Sequence, residues 1–539
     1  MQSQELRKLA AELKNNLSRL KEKRSNWESH WQEVADLMLP RKAEITKERS
    51  RGDKRSSQIY DATAIHSLEL LAASLHGMLT SSANRWFSLR FKEAILNEND
   101  EAREWLEDSI DKMYVAFARS NFQQEIHENY HDLICFGTSC LMIEEDEEDI
   151  VRFSARHIKE IYIEENKKGL IDNVYRKFKI TADQAMQKFG PENLSKEINT
   201  THKTKPFDEV EICHIVRPRF AYDASKKDKK NMKFQSIYFE HGTDHIISVG
   251  GFNENPYVVS RYLKSSTEIY GRSPAMSALA DCKVLNKMVE HGLKAAAKQI
   301  DPPLLVPDDS MLAPVRMTPG SLNYYRSGSR DRIEPLNIGQ NTSTTLNAEN
   351  QRREAIARMF HVDQLQIQSN RTMTATEVLQ RNEEKMRILG PVMGRIQSEL
   401  LEPMINRVFS IMLRNRLFAE APAILANQEI EIEYVSPMAL AQKGQELQNI
   451  MRGLEIFGSI SQMAPVQDYL DENGLVKQLV KTLGLPARMI KSDKEVQTIR
   501  MERQEAQQQQ MQMQQQLAES EMAKNAAPLA KEVLNGSTE

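Results

Sequence analysis

The sequence predicts an α+β fold that is mainly helical. Apolar residues recur three and four positions apart over long segments, in residues 3–38 and 59–80, which indicates amphipathic helices. Residues 137–265 instead contain short runs with strand-like patterning, joined by charged turns. A single long helix is predicted between Ser273 and Ile300. Helices should therefore form the frame of the molecule, with most strands in one block.

Composition excludes several classes of protein. The chain has 539 residues, with 27% charged and 40% hydrophobic residues, which is typical of a globular protein with several domains. Its net charge of −4 excludes a globally basic nucleic-acid binder, so any nucleic-acid contact must come from local basic strips. Four scattered cysteines indicate a reducing compartment. We expect no signal peptide and no membrane span, because no sufficiently long apolar window is found.

The N-terminal part is predicted to be helical. Helices are expected at residues 3–38, 59–80, 99–119 and 122–136, with a strand-like segment at 84–91. Pro40 ends the first helix, and a basic loop follows it at residues 41–57. This loop is predicted to be solvated, which we favour over a phosphate contact.

The central block is predicted to hold strands and one candidate metal site. Strands are expected at residues 140–145, 150–155, 210–218, 232–241 and 245–251, with a helix at 181–189. The candidate zinc ligands are Cys213, His214, His241 and His245. Neighbouring residues of a strand point to opposite faces, and no C-x-x-C pair is present, so the metal site is kept only as an alternative. The acidic turn at 144–149 is interpreted as a solvated hairpin tip.

The long helix has unusual faces. Ser273 fits the N-cap and Pro274 the first helical position, whereas Pro302 and Pro303 end the helix after about 40 Å. Its small and apolar residues cover an arc of about 180°, which is wider than on an ordinary surface helix. The four lysines outside this arc fall within about 60° of one another, and they are Lys283, Lys287, Lys294 and Lys298. The pattern predicts contacts on two sides and a basic strip, interrupted by Glu290, that faces water or an anion.

After this helix the chain is predicted to form an irregular segment and then to become helical again. Residues 304–341 form an irregular, β-rich excursion that contains Arg316, Arg326, Arg330 and Arg332. A helix at 344–360 and a polar loop at 361–373 follow, and a capping box at Thr374 starts the next helix. Pro391 and Pro403 should kink or break that helix.

The C-terminal part is predicted to be less regular. A strand is expected at 428–435, and short helices at 437–489. The tail from residue 494 is rich in glutamine and methionine, so it is either disordered or a helix that packs only in an oligomer.

Sequence motifs of common enzymes are absent. The chain has no phosphate-binding P-loop, no dinucleotide fingerprint, no G-x-S-x-G and no H-E-x-x-H motif. The remaining chemistry is sequence-independent phosphate attraction by Lys and Arg. A sparse basic strip in a negatively charged chain suits a surface along which DNA slides.

Three segments carry a resemblance to a known family. They are IYDATAIHSLELLAASLHGMLTSSANRWFSL (59–89), IYGRSPAMSALADCKVLNKMVEHGLKAAAKQIDPPLLVPDD (269–309), and REAIARMFHVDQLQI followed by MTATEVLQR (353–381). In this order and spacing, the chain resembles the portal, or head-to-tail connector, proteins of short-tailed double-stranded DNA bacteriophages.

The resemblance implies a structural role. Portal subunits form a closed ring, usually of twelve, at one capsid vertex, and the ring also nucleates head assembly with major capsid and scaffolding proteins. Double-stranded DNA is pumped through it by a separate terminase motor and later leaves the same way, past tail adaptor proteins. The resemblance implies no enzymatic activity, no cofactor and no membrane, with assembly in the host cytoplasm and a final location in the virion.

The resemblance also implies a division of the chain. The implied regions are a wing at 1–265, a stem helix at 266–300, a clip at 301–341, a second stem helix at 342–360, a channel loop at 361–373, a wing return helix and strand at 374–436, a crown at 437–490, and a Gln/Met-rich helix or disordered tail at 491–539.

Specific residues follow from this division. The candidates for the DNA channel are Lys283, Lys287, Lys294, Lys298, Gln364, Gln366, Gln368, Asn370 and Arg371. The candidates for partner docking on the clip are Arg316, Arg326, Arg330 and Arg332. Two alternatives stay open, namely a metal-dependent nucleic-acid enzyme and an elongated coiled-coil scaffold built from the N-terminal leucines and the Gln-rich tail.

Overall fold

A computed structural model describes most of the chain. The described residues are 4–50, 52–83, 85–223, 226, 228–243, 245–305, 334–335, 342–365, 389–425, 432–435, 450–453, 455–456, 474 and 493–535. The predicted capping box at Thr374, the first part of the helix after it and most of the predicted crown lie outside these residues.

Helices and strands alternate in blocks. The helices are α1 (Gln4–Met38), α2 (Thr63–Leu79), α3 (Ala94–Glu98), α4 (Asp100–Arg119), α5 (Phe122–Phe136), α6 (Ala182–Phe189), α7 (Lys196–Thr204), α8 (Pro274–Ile300), α9 (Thr342–Met359), α10 (Val362–Leu365), α11 (Glu402–Arg414) and α12 (Asp493–Asn535). The strands are β1 (Ser88–Phe91), β2 (Thr138–Asp146), β3 (Ile150–Arg156), β4 (Ile161–Glu165), β5 (Ile171–Thr181), β6 (Glu209–Pro218), β7 (Phe234–Glu240), β8 (Ile246–Phe252), β9 (Tyr257–Arg261), β10 (Leu304–Leu305), β11 (Glu334–Pro335) and β12 (Ile432–Val435). The α+β fold class is confirmed.

The chain divides into two compact units. The first contains residues 1–87 and 113–417, and the second contains 88–112 and 418–539. In the second unit β1 pairs with β12 in antiparallel register, and the indole of Trp105 donates a hydrogen bond of 2.9 Å to the carbonyl of Ala419. Residues 88–112 lie inside the range predicted as wing, yet they pack with the C-terminal part of the chain.

A five-stranded antiparallel sheet lies in the first unit, in the order β4-β5-β6-β7-β8. One face is covered by α1, because Leu13, Leu17 and Leu20 pack on alternate strand residues such as Ile215 and Phe239. The other face is covered by α6 and α7, whose apolar residues pack around Ile212. The repeated leucines that predict α1 are therefore buried against the sheet of the same subunit.

A second sheet has three strands in the order β3-β2-β9, and helix α5 leads directly into its central strand β2. Gly137 ends α5 with φ of +72°, a left-handed conformation that favours glycine, and β2 begins at the next residue. The backbone of Gly271 passes directly against it, and its N–H donates to the hydroxyl of Thr138 at 2.8 Å. This close approach positions the start of α8 against the end of α5.

The helix around Pro403 is continuous. Residues 389–396 are helical, a π-helical turn spans Gln397–Leu401, and α11 continues from there. Pro403 lacks an N–H and crowds the carbonyl four residues earlier, so a wider turn removes the conflict. The helix is therefore not broken at Pro403, and the residues before 389, which would show the effect of Pro391, lie outside those described. The same turn presents Glu399 to the buried guanidinium of Arg261, at 2.7 Å.

Most predicted elements match the structure, and a few were missed. The predicted helices at 3–38, 59–80, 99–119, 122–136, 181–189 and 344–360 correspond to α1, α2, α4, α5, α6 and α9. Strands β4, β5 and β9 and the short helices α3 and α7 were not predicted. In the part of the chain that the structure describes, we find no helix long and apolar enough to cross a membrane.

The C-terminal tail is helical between Asp493 and Asn535. Three of its methionines are exposed, with 63% of Met501, 60% of Met511 and 64% of Met513 accessible to solvent.

Candidate functional site

The candidate site is built on α8, whose N-terminus is fixed by a cap. The Ser273 hydroxyl accepts a hydrogen bond of 3.0 Å from the N–H of Met276 and donates one of 2.9 Å to the carbonyl of Cys135. Pro274 occupies the first turn, as predicted. The helix ends at Ile300, just before Pro302 and Pro303. Both boundaries of the prediction are confirmed.

Burial changes along α8. Its first half is packed inside the subunit, and Ala275, Ala278 and Leu285 are buried. In its second half the apolar residues are exposed, with 57% of Leu293 and 86% of Ile300 accessible to solvent. The wide apolar arc predicted from the sequence is therefore covered within the chain only near the N-terminal end of the helix.

Helix α9 packs beside α8 and runs antiparallel to it. Arg352 forms an ion pair with Asp281, and the carboxylate of Glu349 lies next to Gly292, where a Cβ atom would sit 3.4 Å from an oxygen. The two-stranded pairing of β10 with β11 lies beyond the far end of this helix pair. Residues 304–305 and 334–335 of the predicted excursion are thus paired with each other.

Exposed and partly buried polar contacts tie the helix pair to the segment before α2. The guanidinium of Arg353 donates to the carboxylate of Asp61 at 2.9 Å, and Asn286 bonds the backbone of Gln58 and of Tyr60 at 2.8 and 2.7 Å. Burial alone raises the pKa of Asp61, but hydrogen bonds from Thr63 and Arg353 lower it overall. The carboxylate is therefore kept ionised and holds the helices in register.

The four predicted lysines lie on one exposed face of α8, and acidic groups pair with three of them. Lys283 contacts Glu33 of α1 at 2.6 Å. Lys287 and Lys294 both contact Glu290, each at 2.6 Å. Hydrogen bonds from these two lysines lower the pKa of Glu290 to about 2. Among the described residues Lys298 has no ion-pair partner.

The result is a weakly basic face. Its pairs are solvent-exposed, and such pairs contribute little to stability because water and salt screen them, so a phosphate group can displace the carboxylates readily. Lysines that exchange partners easily give weak, sequence-independent attraction to a polyphosphate chain. This chemistry is better suited to a surface along which DNA moves than to a surface that binds DNA tightly.

The other predicted channel residues are only partly described. Gln364 lies in α10, and its side-chain oxygen is buried without a hydrogen-bond partner among the described residues. The polar loop therefore begins with a short helical turn. Outside the described residues lie Gln366, Gln368, Asn370 and Arg371 of the loop, and Arg316, Arg326, Arg330 and Arg332 of the excursion.

The structure brings two of the candidate zinc ligands together, the thiol of Cys213 and a ring nitrogen of His241 at 4.0 Å, but it does not gather all four. Cys213 faces α1, and burial raises the pKa of its thiol to about 12, which disfavours the thiolate that a metal needs. His214 points to the opposite face and is bonded to the hydroxyls of Tyr257 and Ser236 at 2.7 and 2.9 Å. His245 bonds a backbone carbonyl. Within the described ranges, no group of three or more His, Cys, Asp or Glu residues is arranged to hold a metal ion.

Sequence reasoning missed one residue of the site, Glu33, and one pairing, that of Glu290 with its neighbouring lysines. Glu33 neutralises Lys283 across 250 positions of sequence, and no local pattern predicts this contact. The pairing of Glu290 with Lys287 and Lys294 was predictable, because residues three and four apart on a helix are neighbours.

Comparisons with known proteins agree over nearly the whole chain. The model of the family described as "Bacteriophage head to tail connecting protein" matches residues 10–490. The portal protein of Salmonella phage epsilon15 is 30% identical over 502 residues, which cover 91% of this chain and 90% of that protein. The probable portal protein of Bordetella phage BPP-1 is also 30% identical over 502 residues, and 90% of each chain is covered.

Proposed function

Because the chain belongs to the family of bacteriophage head-to-tail connecting proteins, we propose that it acts as a portal protein. It forms the channel through which double-stranded DNA is packaged into the capsid and later released. Two curated relatives named as portal and probable portal proteins, each matched over about nine-tenths of its length, support this role.

The portal subunits assemble into a closed ring, which we take to contain twelve copies as in the family. The observation that carries this step is the uncovered apolar side of the α8–α9 pair, where Leu293, Ile300 and Leu346 are 57%, 86% and 50% exposed. Apolar residues that remain exposed along a helix indicate a further partner. Ring closure supplies one, since each subunit contacts a neighbour on two different sides.

The region assignments fit the local geometry. The antiparallel pair α8 and α9 serves as the two stem helices, and the β10–β11 pairing supports a clip at 301–341 that leaves and rejoins the stem at one place. Residues 361–373 form the channel loop, residues 1–265 and 374–436 the wing, and residues 437–490 the crown.

The partners follow from the family. The ring docks a terminase motor during packaging and tail adaptor proteins afterwards, and the arginines of the clip are the docking candidates. Major capsid and scaffolding proteins surround it during head assembly in the host cytoplasm, and the ring ends in the virion. We propose that this chain, like its structural relatives, has no enzymatic activity of its own.

Electron microscopy of the purified protein tests the proposal. Class averages viewed down the particle axis should show a closed ring whose bore admits a DNA duplex. Elongated particles would favour a coiled-coil scaffold. Compact monomers with bound metal and nuclease activity would favour the enzyme alternative.

The lysine face should govern DNA contact and leave assembly intact. We expect reversal of all four lysines to glutamate to lower the affinity of the ring for duplex DNA by about tenfold or more at low salt, with a shallower salt dependence. Fluorescence anisotropy over a salt series measures both quantities. A matched control carries Lys21→Glu, Lys23→Glu, Lys196→Glu and Lys203→Glu on exposed positions of α1 and α7. If the two variants bound duplex DNA with equal affinity, the assignment of the lysine face of α8 to the DNA channel would be wrong.

Glu290→Gln should act in the opposite direction. Amide replacement removes the negative charge that pairs with Lys287 and Lys294 and leaves the side-chain shape unchanged. The two lysines become available to phosphates, so the logarithmic salt slope of DNA binding should steepen by about 0.9 for each added contact. Glu22→Gln on the exposed side of α1 is the control. An unchanged slope for Glu290→Gln would show that these lysines do not meet DNA.

A further inference from the structure

The loop that connects β6 to β7 carries an exposed aromatic residue in a basic setting. We name residues 219–233 the basic tip. Phe220 is fully exposed, at 104% of its reference area, and Tyr222 is 45% exposed. Large apolar side chains that are fully accessible, beside charged residues, are typical of contact surfaces for other proteins.

The described part of the basic tip is folded onto the sheet beside it. The N–H of Arg219 donates to the carbonyl of Lys233 at 2.9 Å, and its guanidinium donates to the carbonyl of Gly250 at 3.1 Å. Gly251 of β8 leaves no room for a Cβ atom, because the carbonyl of Lys229 lies against it. The backbone on both sides of the loop is therefore held against the sheet, and Phe220 projects into solvent next to the fixed residue Arg219.

The charges of the basic tip are only partly balanced. Lys226 pairs with Asp223 at 3.4 Å, and Asp228 accepts a hydrogen bond from Asn231. Three further lysines are exposed, and no ion-pair partner is found for them in the described part of the chain. They are Lys229, Lys230 and Lys233. The tip thus combines unpaired positive charge with an aromatic anchor.

A complementary surface lies at the turn between β2 and β3. Residues 144–149 are all acidic, and their nearest basic groups, on Arg152 and Arg156, remain 3.9 Å away. Beside the turn is an open cleft of about 600 Å³. It is lined by Glu145, Asp146, Glu147, Ile150, Asn415 and Leu417. The cleft offers carboxylates at its rim and two apolar side chains on its wall.

We propose that the basic tip of one subunit docks into the acidic cleft of the neighbouring copy. Phe220 packs against Ile150 and Leu417, and the three unpaired lysines face the carboxylates of the turn. The inference rests on the ring of the proposed function, because neighbours in a ring meet through two different patches of the same chain. No ion pair joins the two patches within one chain among the described residues.

A second copy is favoured over nucleic acid as the occupant. The basic tip contains two carboxylates of its own, on Asp223 and Asp228, and these repel a polyphosphate backbone. A protein surface that presents both acidic and apolar groups satisfies the lysines and the phenylalanine together.

Charge reversal on each side tests the pairing. The tip variant carries Lys229→Glu, Lys230→Glu and Lys233→Glu, and the cleft variant carries Glu145→Lys, Glu147→Lys and Glu148→Lys. Each variant alone should raise the subunit concentration at which half of the protein is in rings by about tenfold or more. A combined variant that carries all six substitutions in one chain should restore assembly. Sedimentation velocity measures the ring fraction, and circular dichroism confirms folding. Phe220→Ala should weaken assembly without changing charge.

The controls separate this inference from the proposed function. A triple reversal at Lys196, Lys203 and Lys205 of α7 and its C-terminal end should leave assembly unchanged. If tip and cleft variants both assemble like the unmodified protein, the docking is overturned and the ring stands. Impaired assembly without rescue in the combined variant also overturns it. Normal rings with weakened duplex binding would assign the tip to nucleic acid. Absence of rings in the unmodified protein would remove the proposed function and the docking together.

Discussion

Replacing Gly137 by alanine is expected to lower the free energy of unfolding of the first unit by about 2–4 kcal/mol. The φ angle of +72° disfavours any residue with a Cβ atom, at a cost of about 1 kcal/mol. The new methyl group would also overlap the backbone of Gly271 and Arg272, and overpacking of this kind costs about 1–3 kcal/mol. Backbone atoms cannot move aside as a flexible side chain can, so the two costs add. Urea unfolding followed by circular dichroism measures the difference.

Gly77→Ala is the matched control for this substitution. Gly77 lies in α2 with an ordinary helical conformation, and an added Cβ atom would meet no atom within 4 Å. Alanine stabilises helix interiors relative to glycine by about 0.5–1 kcal/mol, so this variant should be as stable as the unmodified protein or slightly more stable. Equal stability losses at Gly77 and Gly137 would contradict the role of the Gly137–Gly271 approach.

The expected loss at Gly137 has a functional consequence. The contact between Gly137 and Gly271 places the N-terminus of α8, and with it the proposed stem, against the end of α5. A displaced α8 would carry its lysines and its exposed apolar residues out of register with neighbouring subunits. Ring yield should therefore fall together with stability.

The boundaries of α8 could be predicted from the sequence because its signals are local. Ser273 and Pro274 identify the N-terminus by their own conformational preferences, and Pro302 and Pro303 identify the C-terminus. The strands β4, β5 and β9 escaped prediction because their partly polar sequences carry little periodic pattern. Their existence depends on pairing with strands elsewhere, as for β9, which pairs with β2 across more than a hundred positions.

The candidate site shows the same division. The lysine face of α8 follows from helical spacing, and so does its pairing with Glu290. The contacts that fix the helix pair join residues far apart in the chain, such as Arg353 and Asp61 at a separation of 292 positions. Composition and periodicity contain no information on such partners. The residues that orient the site therefore come only from the structure.

Arg261→Ala is expected to destabilise the first unit by about 2–4 kcal/mol, because it removes a buried cation from the carboxylates of Glu165 and Glu399. These carboxylates then keep only their more exposed partners, Lys264 and Arg395. Arg261 is 1% exposed. Its guanidinium contacts Glu165 and Glu399, and it donates to the carbonyls of Gly169 and Ile269 at 3.1 and 3.3 Å. This one side chain joins β9, the turn after β4, the π-helical turn and the segment that leads into α8. Urea unfolding and the ring fraction in sedimentation should both report the loss.

The cause of that loss can be separated from the loss of side-chain volume. Arg261→Met keeps most of the volume and removes the charge, so it should be nearly as damaging as Arg261→Ala as long as Glu399 stays ionised. Adding Glu399→Gln to Arg261→Met should then recover part of the stability, because it removes a largely buried carboxylate that has lost its closer cation and keeps only Arg395, at 3.2 Å. Arg19→Ala is the surface control, since Arg19 is 51% exposed in its pair with Glu164 and should contribute less than about 1 kcal/mol. If Arg261→Met were as stable as the unmodified protein, the ion pairs would be dispensable, and packing alone would hold the π-helical turn against β9.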